Sequence, residues 1–107
     1  MAHPVQLDIS EAEFQAQVVA LAELTGHLVY HTYDSRKSQK GFPDLNIVKF
    51  SLERPIYAEL KTQTGKLTPE QELWKNILES MPGVDYRLWR PSSWPEVERT
   101  LLGRSRV

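Results

Sequence analysis

Three times along this chain a Ser or Thr is followed, three residues later, by Glu or Gln. The segments are Ser10-Glu11-Ala12-Glu13, Thr68-Pro69-Glu70-Gln71 and Ser93-Trp94-Pro95-Glu96. This is the capping-box pattern: the hydroxyl takes one orphan N–H of the first turn and the acid or amide reaches back to the cap. Three marked helix starts constrain the fold more than composition does. The first predicts a helix carrying Phe14, Val18, Leu21 and Thr25 at helical spacing, widened by Val19 and Ala22 and stopped at Gly26. The second has Pro69 at the first helical position and a stripe of Leu73, Trp74, Ile77, Leu78 and Met81, ending at Pro82-Gly83. The third runs to about Leu102.

The segments between the helices read as strands. His27–Tyr33 is rich in β-branched and aromatic residues, and so are Leu45–Phe50, Ile56–Lys61 and Val84–Arg90. Asp34–Gly41 and Thr62–Lys66 are polar and read as loops. Ser51–Pro55 is a turn-length spacer, so the second and third strands are expected to form a hairpin. The order is α-β-β-β-α-β-α, an α/β fold with a mixed β-sheet flanked by helices. At 107 residues the chain is one domain, with its core expected over about residues 10–102.

Charge and cysteine content narrow the chemistry. The chain has no cysteine, which excludes a disulfide scaffold, a thiol nucleophile and a Cys-ligated zinc site. No apolar run approaches the length of a membrane span, and no export signal is evident, so a cytoplasmic location is expected. The net charge of −1 is unevenly distributed. Residues 1–25 carry acids only, residues 26–66 carry seven bases against four acids, and the remainder balances. The middle of the chain is the candidate surface for an anionic partner, although a mild bias of this kind also describes an ordinary solvated face.

The residues that carry chemistry cluster on the hairpin. A turn centred between Leu52 and Glu53 brings Asp44 beside Glu59 and Lys61. Glu59 and Lys61 leave the strand on one face, with Leu60 directed into the core. Two carboxylates on adjacent strands can hold one hard cation, Mg²⁺ or Mn²⁺, which polarises a phosphoryl oxygen and acidifies a bound water. A neighbouring lysine can steady the developing charge. The competing reading is a cross-strand salt bridge, which is the better account of Glu-x-Lys taken alone; the Pro43-Asp44 at matched hairpin distance shifts the balance toward a site. Glu11 falls at helical spacing from Phe14 and Val18, on the core-facing side of the first helix. There it can reach the sheet or simply favour the helix dipole.

Gly41-x-Pro43-Asp44, Glu59-x-Lys61 and Thr64-Gly65-Lys66-Leu67-Thr68-x-x-Gln71, taken in order, resemble the VRR-NUC domain. This is the virus-type replication-repair branch of the PD-(D/E)XK nuclease superfamily, with its restriction-endonuclease-like core. The start Ser10–Gln15 resembles that family's first helix, and the likeness is to small stand-alone members from phages and bacteria. It implies Mg²⁺- or Mn²⁺-dependent hydrolysis of DNA phosphodiesters. In that picture Asp44 and Glu59 are metal ligands, joined by the Leu60 carbonyl, and Lys61 is the catalytic lysine. Glu11 is the helix acid, with Glu13 as its competitor, and Gln71 is the glutamine of the following helix, which its capping box also requires. Stand-alone members resolve Holliday junctions as homodimers, and a twofold dimer suits paired nicks. Phosphate contacts are then expected from Arg36, Lys37, Lys40 and Lys66, with weaker ones from Arg104 and Arg106. His31 is either a donor near the site or an ordinary strand residue. Trp89, Trp94 and Leu101 are either interface or core, with core the simpler reading.

Overall fold

The computed structural model describes residues 6–32 and 39–103. Tyr33, Arg36, Lys37, Arg104 and Arg106 lie outside them. The elements are α1 (Glu11–Leu24), β1 (Leu28–His31), β2 (Leu45–Val48), β3 (Ile56–Leu60), α2 (Pro69–Glu79), β4 (Asp85–Trp89) and α3 (Trp94–Leu102). A short 3-10 turn, Pro91–Ser93, leads into α3. The expected order holds, with each strand shorter than the apolar runs suggested. His27 leaves the first strand to close α1: its Nδ1 meets Ala22 O at 3.2 Å and Thr25 Oγ1 at 3.0 Å. Phe50 is fully exposed in the β2–β3 turn instead of ending β2. Lys61, Val84 and Arg90 fall just outside their strands.

The three capping boxes turn out differently. Thr68 and Gln71 bond reciprocally, Thr68 N to Gln71 Oε1 at 2.9 Å and Gln71 N to Thr68 Oγ1 at 3.1 Å. Ser10 accepts from Glu13 N at 3.1 Å, the one half of its box that forms. Ser93 does not cap α3; its Oγ accepts from Arg90 N at 3.0 Å instead. The 3-10 turn ahead of α3 redirects that hydroxyl backwards.

The strands form one mixed sheet in the order β1-β2-β3-β4, antiparallel except for β3 with β4. Leu45 pairs with Ala58 and Ile47 with Ile56, so the hairpin centres between Ser51 and Leu52, one residue earlier than expected. The next pair out is therefore Asp44 opposite Glu59. A shift of the centre by one residue moves the pairing by two, so every side chain keeps its face.

One sheet face carries Leu45, Ile47, Ile56, Ala58, Leu60 and Trp89, all fully buried. Phe14, Val18 and Ala22 of α1 and Val97 and Leu101 of α3 complete this core. Trp89 and Leu101 are thus core residues and not a surface. Among the described residues α2 is the one helix on the opposite face, and here the sequence pattern misleads. Leu78 is buried and Trp74 half-buried, but Leu73, Ile77 and Met81 are 60%, 50% and 45% exposed. A single helix on a sheet seals only its innermost line of residues; the rest of the stripe has no second helix to meet. Leu28, Tyr30 and Val48, on the uncovered end of the sheet, are exposed too. Among the described residues no helix is long and apolar enough to cross a membrane.

Candidate active site

Asp44 immediately precedes β2, in a setting that fixes it from three sides. The Thr32 amide donates to Asp44 O at 2.9 Å, and Thr32 Oγ1 donates to Pro43 O at 2.8 Å. The Leu60 amide donates to Asp44 Oδ2 at 2.8 Å. Gly41 makes this approach possible. Its φ is +86°, and a Cβ there would lie 2.5 Å from the Glu70 carbonyl carbon. A side chain would meet both a conformational penalty and the main chain of α2. The loop is held against that helix by Trp74, whose Nε1 donates to Lys40 O at 3.1 Å and whose ring meets Phe42 edge-on at 5.0 Å. Beside Asp44 an open cleft of about 360 Å³ is lined by Thr32, Lys40, Phe42, Glu70 and Gln71, among others.

Glu59 is 2% exposed, on the α2 face of β3. It shares a hydrogen bond with Asp44 and accepts from Gln71 Nε2 at 3.1 Å. Gln71 therefore does both things the sequence allowed: its amide oxygen caps α2 and its amide nitrogen reaches the acid. Burial, and then the Asp44 charge, push the Glu59 carboxyl up to about 9. Asp44 is raised as well, chiefly by burial, against the pull of the Leu60 amide. Two carboxylates this close cannot both ionise cheaply without a cation between them. The phenol of Tyr86, on the same face of β4, is pushed up by burial and by the field of these acids.

Lys61 is half-buried and its positive charge opposes the rise at Asp44, Glu59 and Glu11. It makes no salt bridge within 4.0 Å among the described residues. That disfavours the simple cross-strand ion pair. Glu11 is exposed, at the rim of the site and not on the buried side of α1 as its spacing suggested. Burial of its carboxyl and the nearby Asp44 charge raise its pKa, so it is Glu11 that faces the cluster. His31 lies close enough for its charge to act on Asp44. Lys40 borders the cleft, and Lys66 is exposed in the loop after Lys61. Arg36 and Lys37 lie outside the described residues.

The donor set suits a hard divalent cation. Asp44 and Glu59 offer carboxylate oxygens, and both carboxyls are raised, chiefly by burial. An extended residue directs its N–H and C=O to the same side. Because the Leu60 amide meets Asp44, the Leu60 carbonyl faces that edge too. Among the described residues no group of three or more His, Asp or Glu side chains is arranged to hold an ion. Two side chains with the remaining positions left to water and substrate oxygens suits Mg²⁺, which keeps several waters.

Sequence reasoning passed over Thr32 and Arg90. Thr32 looks like one more β-branched strand residue. Arg90 Nη1 donates to Thr62 O at 2.8 Å, Gln63 O at 3.4 Å and Gly65 O at 2.7 Å, bracing the loop after Lys61. An arginine at a strand end gives no local sign of such a role.

No curated protein and no solved structure matched the chain. Residues 7–90 match the VRR-NUC domain, spanning every element from α1 to β4 and all of the cluster just described, and the chain belongs to that family.

Proposed function

We propose that this protein is a divalent-metal-dependent endodeoxyribonuclease whose reacting centre is Asp44, Glu59 and Lys61. Membership of the VRR-NUC family brings a PD-(D/E)XK-like fold and a nuclease-type function with DNA as substrate. The observation that carries the finer reading is the Asp44–Glu59 pair: two hydrogen-bonded carboxyls, both raised, beside a lysine that makes no salt bridge among the described residues. Purely structural acids are seldom placed to repel each other; functional ones often are.

In this reading Asp44, Glu59 and the Leu60 carbonyl hold Mg²⁺ or Mn²⁺. When bound, the ion polarises the scissile phosphoryl group and acidifies a water. The Leu60 amide fixes the Asp44 carboxylate and the Gln71 amide fixes Glu59. Lys61 brings its ammonium to the oxygens on which charge gathers as water adds and the phosphorus–oxygen ester bond breaks. Glu11 faces the same space from the start of α1. Lys40, Lys66 and the basic residues Arg36 and Lys37 supply sequence-independent phosphate contacts, with His31 at the margin.

We also propose that the enzyme prefers branched DNA and acts on four-way junctions as a homodimer. That preference rests on the likeness to stand-alone family members. Leu73, Ile77 and Met81 provide exposed apolar area for such a contact. The test is to incubate the protein with labelled four-way junction, flap, single-stranded and duplex DNA, in Mg²⁺, Mn²⁺ or EDTA, beside Asp44→Asn. The expected result is metal-dependent, symmetric cutting of the junction that the variant lacks. Cutting of another substrate would retain the centre and discard the junction preference. No cutting with either metal would overturn the nuclease reading.

A further inference from the structure

Lys61 leaves β3 at the point where the chain must turn back to begin α2. In the parallel β3–β4 pair Leu60 lies opposite Trp89, and Lys61 N donates to Trp89 O at 3.1 Å. One step further out, Lys61 and Arg90 are neighbours at the ends of adjacent strands. Arg90 does not extend into solvent as a basic residue at a strand end ordinarily would. Its Nη1 sits among the carbonyl oxygens of Thr62, Gln63 and Gly65. A second clasp closes the same turn. Gln63 Nε2 donates to Ser92 Oγ at 2.9 Å, and Ser92 N donates to Gln63 Oε1 at 3.0 Å. Within the turn, Gly65 N donates to Thr62 Oγ1 at 3.0 Å.

A turn with three carbonyls aimed inward is unstable on its own, because the oxygens repel one another and are withdrawn from water. The two N–H groups of Arg90 Nη1 meet them, Thr62 O and Gly65 O closely and Gln63 O at longer range, with the rigid guanidinium fixing where that nitrogen sits. The turn so fixed governs two site residues. Lys61 immediately precedes it, and Thr68 with Gln71, which holds Glu59, follows within one short connection.

We propose that Arg90 is a positioning residue for Lys61 and Gln71, setting the path of residues 62–65 through its three carbonyl contacts without touching DNA. The inference rests on the nuclease reading for its catalytic consequence, but not for its structural one. Steady-state cleavage and DNA binding by the full chain separate the two roles. Arg90→Ala is expected to lower kcat by about 10- to 100-fold, the scale of a small misplacement of a reacting group. KM and the salt dependence of DNA binding should stay as in wild type. Arg90→Lys should recover part of kcat, since an ammonium brings donors to the same carbonyls but lacks the planar group that holds Nη1 among them. Gln63→Ala, which leaves every charge in place, should lower kcat in the same direction by less. It keeps the test open should Arg90→Ala not fold.

Hydrogen exchange supplies a readout free of catalysis. The Gly65 amide should exchange faster in Arg90→Ala while the Leu60 amide, bonded to Asp44, keeps its protection. A raised KM with a flattened salt dependence and unchanged kcat would make Arg90 a phosphate contact and overturn the proposal. So would an unchanged Gly65 exchange rate. If the wild-type protein cuts no DNA, the nuclease reading fails, and the exchange data still decide whether Arg90 sets the turn.

Discussion

Two charged clusters sit on the same four-stranded sheet and are compensated in opposite ways. On the core side of β4, Arg87 bonds Asp85 at 2.6 Å and 3.1 Å and Glu96 at 2.7 Å, with Thr100 Oγ1 as a further acceptor. Glu96 Oε2 also accepts from Trp89 Nε1 at 3.0 Å. The acids raise the Arg87 pKa further, so the cluster favours its charged form and ties α3 to the sheet. Across the sheet, Asp44 and Glu59 face each other with Glu11 nearby, and all three are pushed toward the neutral form. The first cluster holds the fold together. The second stores repulsion that a cation would release, which is the arrangement expected where chemistry takes precedence over stability.

The largest expected effect comes from removing a charge from the second cluster while leaving its shape. Asp44→Asn keeps an amide oxygen for the Leu60 N–H and removes the charge. Lys61→Ala removes the ammonium from a residue that has no salt bridge among the described residues. Each should lower cleavage by at least about 100-fold while the melting temperature holds or rises. Cleavage retained in either variant would remove that residue from the reacting centre.

The first cluster should respond in the reverse sense. Arg87→Ala leaves Asp85 and Glu96 without their charged donor, and should cost about 2 kcal/mol in chemical denaturation. The folded variant should keep its kcat, because Arg87 lies on the sheet face away from Glu59. A loss of kcat with normal stability would mean that the two clusters communicate.

A third effect is a slope and not a loss. Burial and the Asp44 charge push the Glu59 carboxyl up to about 9 in the folded chain, above its ordinary value in the unfolded one. A raised carboxyl contributes stability that is full below the unfolded pKa and is lost as pH rises through the folded one. Asp44 is shifted the same way. The melting temperature in EDTA should therefore fall between about pH 5 and pH 9, measured by scanning calorimetry. Lys61, Glu11, His31 and Tyr86 face the same pair and modulate the slope without reversing it. Glu59→Gln should flatten the fall, and Mg²⁺ should raise the wild-type melting temperature most at the alkaline end. A flat wild-type profile would show that the acids do not share a proton.

How much of this was legible in the residues follows from the range of the interactions. The two capping hydroxyls of Ser10 and Thr68, the stop at Gly26 and the α-β-β-β-α-β-α order are local, and local pattern found them. The facing of Asp44 and Glu59 was legible because a hairpin converts sequence distance into contact; an error of one residue at its centre moved Asp44 from Lys61 to Glu59 without changing faces. The exposure of Leu73 and Ile77 was not legible, since periodicity marks an apolar side of a helix without saying how much of it meets a neighbour. Arg90 and Thr32 act through main-chain carbonyls and amides distant in sequence, and side-chain chemistry carries no trace of that.

The smallest effect concerns how a polyanion reaches a cluster of acids. Asp44, Glu59 and Glu11 offer DNA no positive charge of their own, so the approach depends on cations placed around them. Lys40 borders the cleft beside Asp44, and Lys66 stands exposed on the loop after Lys61. Neither has a salt bridge among the described residues to give up. If each meets one backbone phosphate, then Lys40→Ala and Lys66→Ala should each reduce the slope of log affinity against log salt by about one, with only a few-fold loss of affinity at moderate salt. The losses should be equal on all DNA sequences and kcat should be unchanged. The same substitution made at Lys75, which pairs with Glu79 at 3.3 Å on α2, is the control. An equal change of slope at Lys75 would mean that the slope reports overall charge and not contacts beside the carboxylate pair.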